Sequence, residues 1–240
     1  MRGLFVTGTG TEIGKTVVSS AIAYAARAAA DRVAVFKPAV SGLDDHPLRP
    51  EAWESAAELP DHALLRLAAG STQGDEQIAP YRYGPAVSPH LAAEMAGERI
   101  DPDRLRGAAL AATEDADLLV CEGVGGFLVP LTTDYLVRDL ARALALPVVV
   151  AASPGLGTIS HTLLTIEAVR AAGLEVAAVV LTPWPSEASD VERSNLETIA
   201  RLGSVAVETL PRLDLSDPSS WPALRVDVGS PSAASSLRAA

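Results

Sequence analysis

Residues 4–16 read LFVTGTGTEIGKT, and the reading of this stretch decides the fold. An apolar run, LFVTG at 4–8, leads into a Gly/Thr loop. Lys15 and Thr16 then open KTVVSSAIAYAARAAA (15–30), a run of strong helix formers. Strand, glycine loop, Lys-Thr and helix in that order are the setting in which a phosphate-binding loop works. Glycines let successive backbone N–H groups converge on one anion. A helix starting near Lys15 adds its unpaired amides and the positive end of its dipole. Lys15 is placed to reach β- and γ-phosphate oxygens, and Thr16 to offer a hydroxyl to Mg²⁺. The common loop has four residues between its first Gly and Gly-Lys-Thr. Here five, Thr9 to Ile13, separate Gly8 from Gly14. The extra residue lengthens the loop without removing a phosphate donor, and so makes room for something besides phosphate. The plainer alternative is a tight turn that only caps a helix.

Outward from this loop, apolar runs alternate with helical patterns. Strands are expected at 4–8, 32–38, 117–123, 146–153 and 176–182, with a sixth at 204–211. Helices are expected at 15–30 and about 61–70, 101–115, 134–146, 158–172 and 188–202. Several strands are apolar on both faces, as in a parallel sheet covered on both sides. The expected fold is therefore α/β: a doubly wound, mainly parallel sheet flanked by helices, with right-handed crossovers. One domain is expected over residues 1–228. Residues 42–60, charged and holding three prolines, read as a long surface loop, and 229–240, small and polar, as a flexible tail.

The 240 residues carry a net charge of −11, which disfavours nucleic-acid binding. The one cysteine, Cys121, has no internal disulfide partner, and four scattered histidines show no metal spacing. No apolar run is long enough to span a bilayer, and the N-terminus reads directly into the first strand. These features point to a reducing, cytoplasmic setting without membrane contact.

Two further stretches carry chemistry. In LLVCEG (118–123), Glu122 ends an apolar strand, where a parallel sheet meets its ligand crevice. Mg²⁺ on a nucleotide takes protein carboxylates as well as a hydroxyl. Gly123, Gly125 and Gly126 would let the backbone approach a ligand. In AVFKPAVSG (34–42), Lys37 ends the second strand beside the same crevice, and Ser41-Gly42 follows. Each has an ordinary reading: a surface Glu, a solvated Lys, a turn.

Together these pieces resemble the dethiobiotin synthetase family, in order from residue 4 to about 211. VTGTGTEIGKT (6–16) is similar to that family's lengthened phosphate loop, KPAVSG (37–42) to its KPxxSG segment and SPHLAAE (88–94) to its SPH segment. CEGVGGFLVPL (121–131) is similar to its EGAGG segment, and GLGTISHTLLT (155–165) to its GxxNH segment. The resemblance implies a P-loop NTPase-like fold and an ATP-dependent ligase. In that reaction 7,8-diaminononanoate condenses with CO₂ to a carbamate, ATP phosphorylates the carbamate, and ring closure gives dethiobiotin, ADP and phosphate.

The resemblance also assigns roles. Lys15, Lys37 and Thr11 would be catalytic, with Thr11 and Lys37 holding the carbamate and Ser41 touching the diamine. Glu12, Ile13, Gly14, Lys15, Thr16 and Val17 would surround the phosphates, and Gly125 would lie beside them. Thr16, Asp61 and Glu122 would bind Mg²⁺. Asp44 and Asp45 are rivals to Asp61, which taken alone also reads as a helix N-cap. Thr182 and Pro183, with Leu210, Pro211 and Arg212, would border the base. Thr182 stands where the family often has Asn, and a hydroxyl lacks an amide's paired donor and acceptor. The choice among ATP, CTP and other triphosphates therefore stays open. Gly157, Thr158 and Ser160 would bind the substrate carboxylate, Ser160 standing in for an Asn. A homodimer is implied. The competing readings are a partitioning-type ATPase switch, which shares the loop, and a ligase acting on a larger carboxylate.

Overall fold

The structure is a computed structural model that describes residues 2–45, 59–224 and 226. Six strands, β1 Gly3–Gly8, β2 Val33–Phe36, β3 Leu118–Glu122, β4 Val148–Ala152, β5 Val176–Trp184 and β6 Val207–Pro211, form one sheet in the order β2-β3-β1-β4-β5-β6. Every pairing is parallel. Among the described residues eight α-helices accompany them: α1 Lys15–Ala28, α2 Asp61–Ala69, α3 Asp75–Ile78, α4 Pro89–Met95, α5 Pro102–Ala111, α6 Val137–Leu144, α7 Thr158–Ala171 and α8 Asp190–Gly203.

Successive strand side chains point to opposite faces, so each apolar strand feeds two cores. Leu4, Val6, Val35, Val120 and Val149 pack on one side with Val18 and Ile22 of α1 and Leu64 and Leu65 of α2. Phe5, Phe36, Leu119, Cys121 and Val150 pack on the other with Leu105 of α5, Leu140 of α6 and Ile166 of α7. This is the physical reason for the near-continuous apolar runs of β1 to β4, which are buried at every position: neither face meets water. Cys121 is fully buried and free, with burial pushing its thiol well above the ordinary range.

The six expected strands and six expected helices all form, with ends shifted by a few residues. Two short helices, α3 and α4, were not expected. The expected loop 42–60 is described only at its margins, and the expected tail 229–240 lies outside the described residues. At the near margin, Val40, Gly42, Leu43 and Asp44 exchange backbone hydrogen bonds with 81–85, closing in a single 3-10 turn at Leu43–Asp45. Past β6 the chain returns to the core. Trp221 is 6% exposed, packs edge-on against Tyr24 of α1 at 5.6 Å, and donates its indole N–H to the Asp214 carbonyl.

Because all six strands run the same way, their C-terminal ends share one edge of the sheet. The loops after β1, β2 and β3, with Lys37 and Glu122 at the strand ends, therefore meet there by topology.

Candidate active site

The lengthened loop runs from Thr9 to Gly14 between β1 and α1. Two of its residues are in the left-handed region, Glu12 at φ 58° and Gly14 at φ 87°. Gly14 is required on a second count: a Cβ there would stand 2.7 Å from the Thr182 Cγ2 methyl of β5. The loop folds Ile13 back over Gly8, where Ile13 packs at the edge of the α1-side core. Thr11 and Glu12 are left exposed. Lys15, 7% exposed, reaches back to donate to the Gly10 carbonyl at 2.7 Å. Burial lowers its pKa; the Glu122 carboxylate partly offsets this, and the like charge of Lys37 adds to it.

Beside this loop lies a buried charged cluster. The Lys37 ammonium, 2% exposed, is 2.7 Å from Asp61 Oδ2 and 2.5 Å from Glu122 Oε1. Burial opposes the charge on Lys37, but the Asp61 and Glu122 carboxylates outweigh it and raise the pKa. Glu122 is fully buried, and burial lifts its carboxyl above the usual range despite Lys37. Asp61 sits at the mouth, its side chain 45% exposed. Desolvation pushes its pKa up, yet Lys37 and the Thr16 hydroxyl hold it below the ordinary value. Asp61 is the first residue of α2 and makes no capping bond; Pro60 holds the cap position, so the N-cap reading of Asp61 is set aside.

Thr16 Oγ1 is 2.9 Å from Asp61 Oδ1 and 2.9 Å from Glu122 Oε1. One hydroxyl carries one proton and cannot donate fully to both. Glu122 Oε2 is buried with no partner. Three hard oxygens converging with spare lone pairs fit Mg²⁺, which keeps few protein ligands when a nucleotide supplies the rest. Among the described residues no group of three or more His, Cys, Asp and Glu gathers for a metal, and this site offers two carboxylates and a hydroxyl. Asp44 is exposed and lies against Gly84, away from Thr16, and the Asp45 side chain lies outside the described residues.

These groups line a cavity of ≈ 820 Å³. Of the residues expected in a site, Thr11, Glu12, Gly14, Lys15, Thr16, Val17, Lys37, Ser41, Asp61, Glu122 and Gly125 line it. Ser88, Pro89, Val87 and Val129 line it too. The SPH segment was visible in the sequence, but nothing in its spacing told which pocket it faced. The other expected residues lie outside this cavity. Thr182 is 2% exposed, and Leu210 is fully buried in the core. Pro183 is the next-to-last residue of β5, Pro211 ends β6 and Arg212 follows it, and all three are exposed on the loop's edge of the sheet. Gly157 opens α7 in the left-handed conformation, Thr158 is buried and Ser160 is exposed. The loop before α7 is clamped by Asn195 of α8, whose amide donates to the Pro154 and Gly155 carbonyls at 2.9 and 3.0 Å. A second signal went unread: Lys15 and Lys37 are the two lysines of the whole chain, the rest of its 19 Lys and Arg residues being arginine.

A family model described as an AAA domain matches residues 2–220. The chain is 42% identical over 202 residues to the ATP-dependent dethiobiotin synthetase of Anaeromyxobacter dehalogenans (strain 2CP-C), covering 84% of this chain and 86% of that one. It is 34% identical over 207 residues to that of Bacillus subtilis (strain 168), covering 86% and 85%. To that of Aromatoleum aromaticum it is 37% identical over 223 residues, covering 91% and 94%. Among solved structures, a chain of the MinC:MinD cell division protein complex of Aquifex aeolicus matches with a TM-score of 0.53 at 12% identity, covering 91% of this chain and 83% of that one. That likeness bears on the fold alone.

Proposed function

The chain belongs to the ATP-dependent dethiobiotin synthetase family and is a P-loop ligase of biotin biosynthesis, and from that premise we propose which residues carry each part of the reaction. Two anions, the carbamate of 7,8-diaminononanoate and the γ-phosphate, must meet in line. Positioning and electrostatic offset therefore make up most of the catalysis. Lys15 and the amides of Glu12 to Val17 hold the phosphates. Lys37 holds the carbamate and stabilises charge on the transferring phosphoryl group. Thr11, exposed at the tip of the lengthened loop and near Gly125, steadies the carbamate from the other side, and Ser41 borders the diamine. The added loop residue thus serves the second anion. Thr16, Asp61 and Glu122 hold Mg²⁺, which when bound neutralises phosphate charge.

The remaining roles extend the same reading. Gly157, Thr158 and Ser160 take the substrate carboxylate, with backbone amides standing in for the missing Asn side chain. Thr182, Pro183, Leu210, Pro211 and Arg212 border the base, and Thr182 supports a weak preference among ATP, CTP and other triphosphates. Leu156, 94% exposed beside Gly157, is an apolar side chain suited to cover by a second copy, in keeping with a homodimer. No helix among the described residues is long and apolar enough to cross a membrane. We place the enzyme in the cytoplasm.

The observation that supports this assignment most directly is the Lys37–Asp61–Glu122–Thr16 cluster beside the phosphate loop. Protein, diamine, bicarbonate and Mg²⁺ are mixed in turn with ATP, CTP and GTP, and release of the nucleoside diphosphate is followed. Release is expected to depend on the diamine. Diamine-independent hydrolysis with every nucleotide would instead point to the switch-type alternative.

A further inference from the structure

Glu122 Oε1 is claimed twice. It lies 2.5 Å from the Lys37 ammonium and 2.9 Å from the Thr16 hydroxyl. Lys37 also holds Asp61 Oδ2 at 2.7 Å, while Thr16 faces Asp61 Oδ1. Without a metal, the ammonium is the counter-ion of both carboxylates. A divalent cation on Thr16, Asp61 and Glu122 would need the same Glu122 oxygen. It would also bring two positive charges against a third at contact distance.

We propose that Lys37 is a resident counter-ion that the metal displaces, so that loading the metal releases the lysine toward the cavity. The inference rests on the metal-ligand reading of Thr16, Asp61 and Glu122. Among the described residues the cavity's acids are Glu12, Asp61 and Glu122, and Glu12 is exposed on the loop. Once the metal holds Asp61 and Glu122, no buried carboxylate is left for Lys37. Its partner must then be an anion arriving in the cavity, which is where the carbamate forms beside the hydroxyls of Thr11, Ser41 and Ser88. Binding is thereby ordered. Before metal, the ammonium is tied to its own protein and holds substrate poorly; after metal, the site gains an unpaired cation at the reacting end.

The exchange can be read without turnover. The full chain is titrated with Mn²⁺ alone, and binding is read from the metal's paramagnetic signal. Lys37→Met keeps the apolar stem and removes the competitor. It is expected to bind Mn²⁺ at least about tenfold tighter than the unaltered chain, equivalent to about 1.4 kcal/mol. Equal or weaker binding overturns the exchange.

Removing the ammonium leaves two buried carboxylates uncompensated, so a second measurement uses the unaltered chain. Amines are trace-acetylated and the peptides read by mass spectrometry. With two lysines in the sequence, the lysine signals come from Lys15 and Lys37 only. Mn²⁺ alone should raise labelling of Lys37 about tenfold, the factor that corresponds to about 1.4 kcal/mol of lost ion pairing, and leave Lys15 unchanged. Mg²⁺ with a nucleoside diphosphate, which lacks the γ-phosphoryl group that Lys37 would meet, should protect Lys15 while Lys37 stays reactive. Opposite responses at the two lysines exclude general loosening. Labelling of Lys37 that is unchanged or reduced on metal binding overturns the proposal. If neither form binds Mn²⁺, the metal-ligand assignment itself falls. If both bind it equally, that assignment stands and the exchange alone falls.

Discussion

A methyl group placed on Gly14 tests whether the phosphate loop rests on β5 as the structure shows. Gly14→Ala carries two costs. At φ 87° an L-residue sits in the left-handed region, which costs about 1–2 kcal/mol. The new Cβ would also stand 2.7 Å from Thr182 Cγ2, an overlap worth about 1–3 kcal/mol in a packed site. The sum is a loss of roughly 2–5 kcal/mol. After the Thr182 methyl, the next neighbours of that Cβ are Thr182 Cβ and Oγ1, both at 3.9 Å. Thr182→Ser removes the methyl alone and by itself costs about 0.5–1.5 kcal/mol, as for other single buried methyls. In the double variant the alanine methyl enters the space left by the threonine methyl, and the backbone cost of about 1–2 kcal/mol remains. The coupling between the two sites should therefore be about 1–3 kcal/mol in the favourable direction. Thr182→Val, which keeps both branches, should give no relief. Urea unfolding of the four proteins measures the cycle, and ATP affinity should follow the same order because Gly14 belongs to the loop. If the two changes add to within about 0.5 kcal/mol, the contact does not exist as described.

Lys37→Gln should slow turnover about 10²–10³-fold, as for loss of one preorganised charge partner in a reacting site, and leave nucleotide affinity within about threefold. Unchanged turnover in steady-state assays would remove Lys37 from the chemistry. Leu65→Ala, in α2 and fully buried, should cost about 2–5 kcal/mol of unfolding free energy measured in urea. The Asp117 carboxyl is held at about 2, chiefly by the hydrogen bond from the Arg32 guanidinium. A depressed carboxyl contributes stability above its unfolded pKa of about 3.9, and that contribution is lost as pH falls toward 2. The melting-temperature gap between the natural chain and Asp117→Asn should thus be steady above about pH 4 and shrink below it. A gap that widens on acidification refutes the pairing.

Much of the fold was legible because its cause is local. The strand at 4–8, the helix opening at Lys15 and the apolar runs ending at Glu122 and Ala152 form where pattern and propensity agree. Helices α3 and α4 escaped notice because four and seven residues are too short to show a helical period. The return of Trp221 and Leu224 to the core escaped for another reason. Their burial depends on Tyr24 and on Leu213 and Leu215, which a local window does not join. In the site, Lys15 and Thr16 could be named from their loop alone. Asp61 could not be chosen over Asp44 by spacing, since residues 42–60 offer no periodic pattern to count along.

What the sequence by itself determined was the alternation of strands and helices, the lengthened loop and the family whose segments it shares. Those properties depend on residues near one another in the chain. The tertiary structure alone decided that Lys37, Asp61 and Glu122 form one ion cluster, that Glu122 is buried while Asp61 is half open, and that the Thr182 methyl stands against Gly14. Each is a meeting of residues tens of positions apart, brought about by parallel strands ending on one edge. The balance of burial against paired charge that sets their chemistry exists only once those strands are side by side.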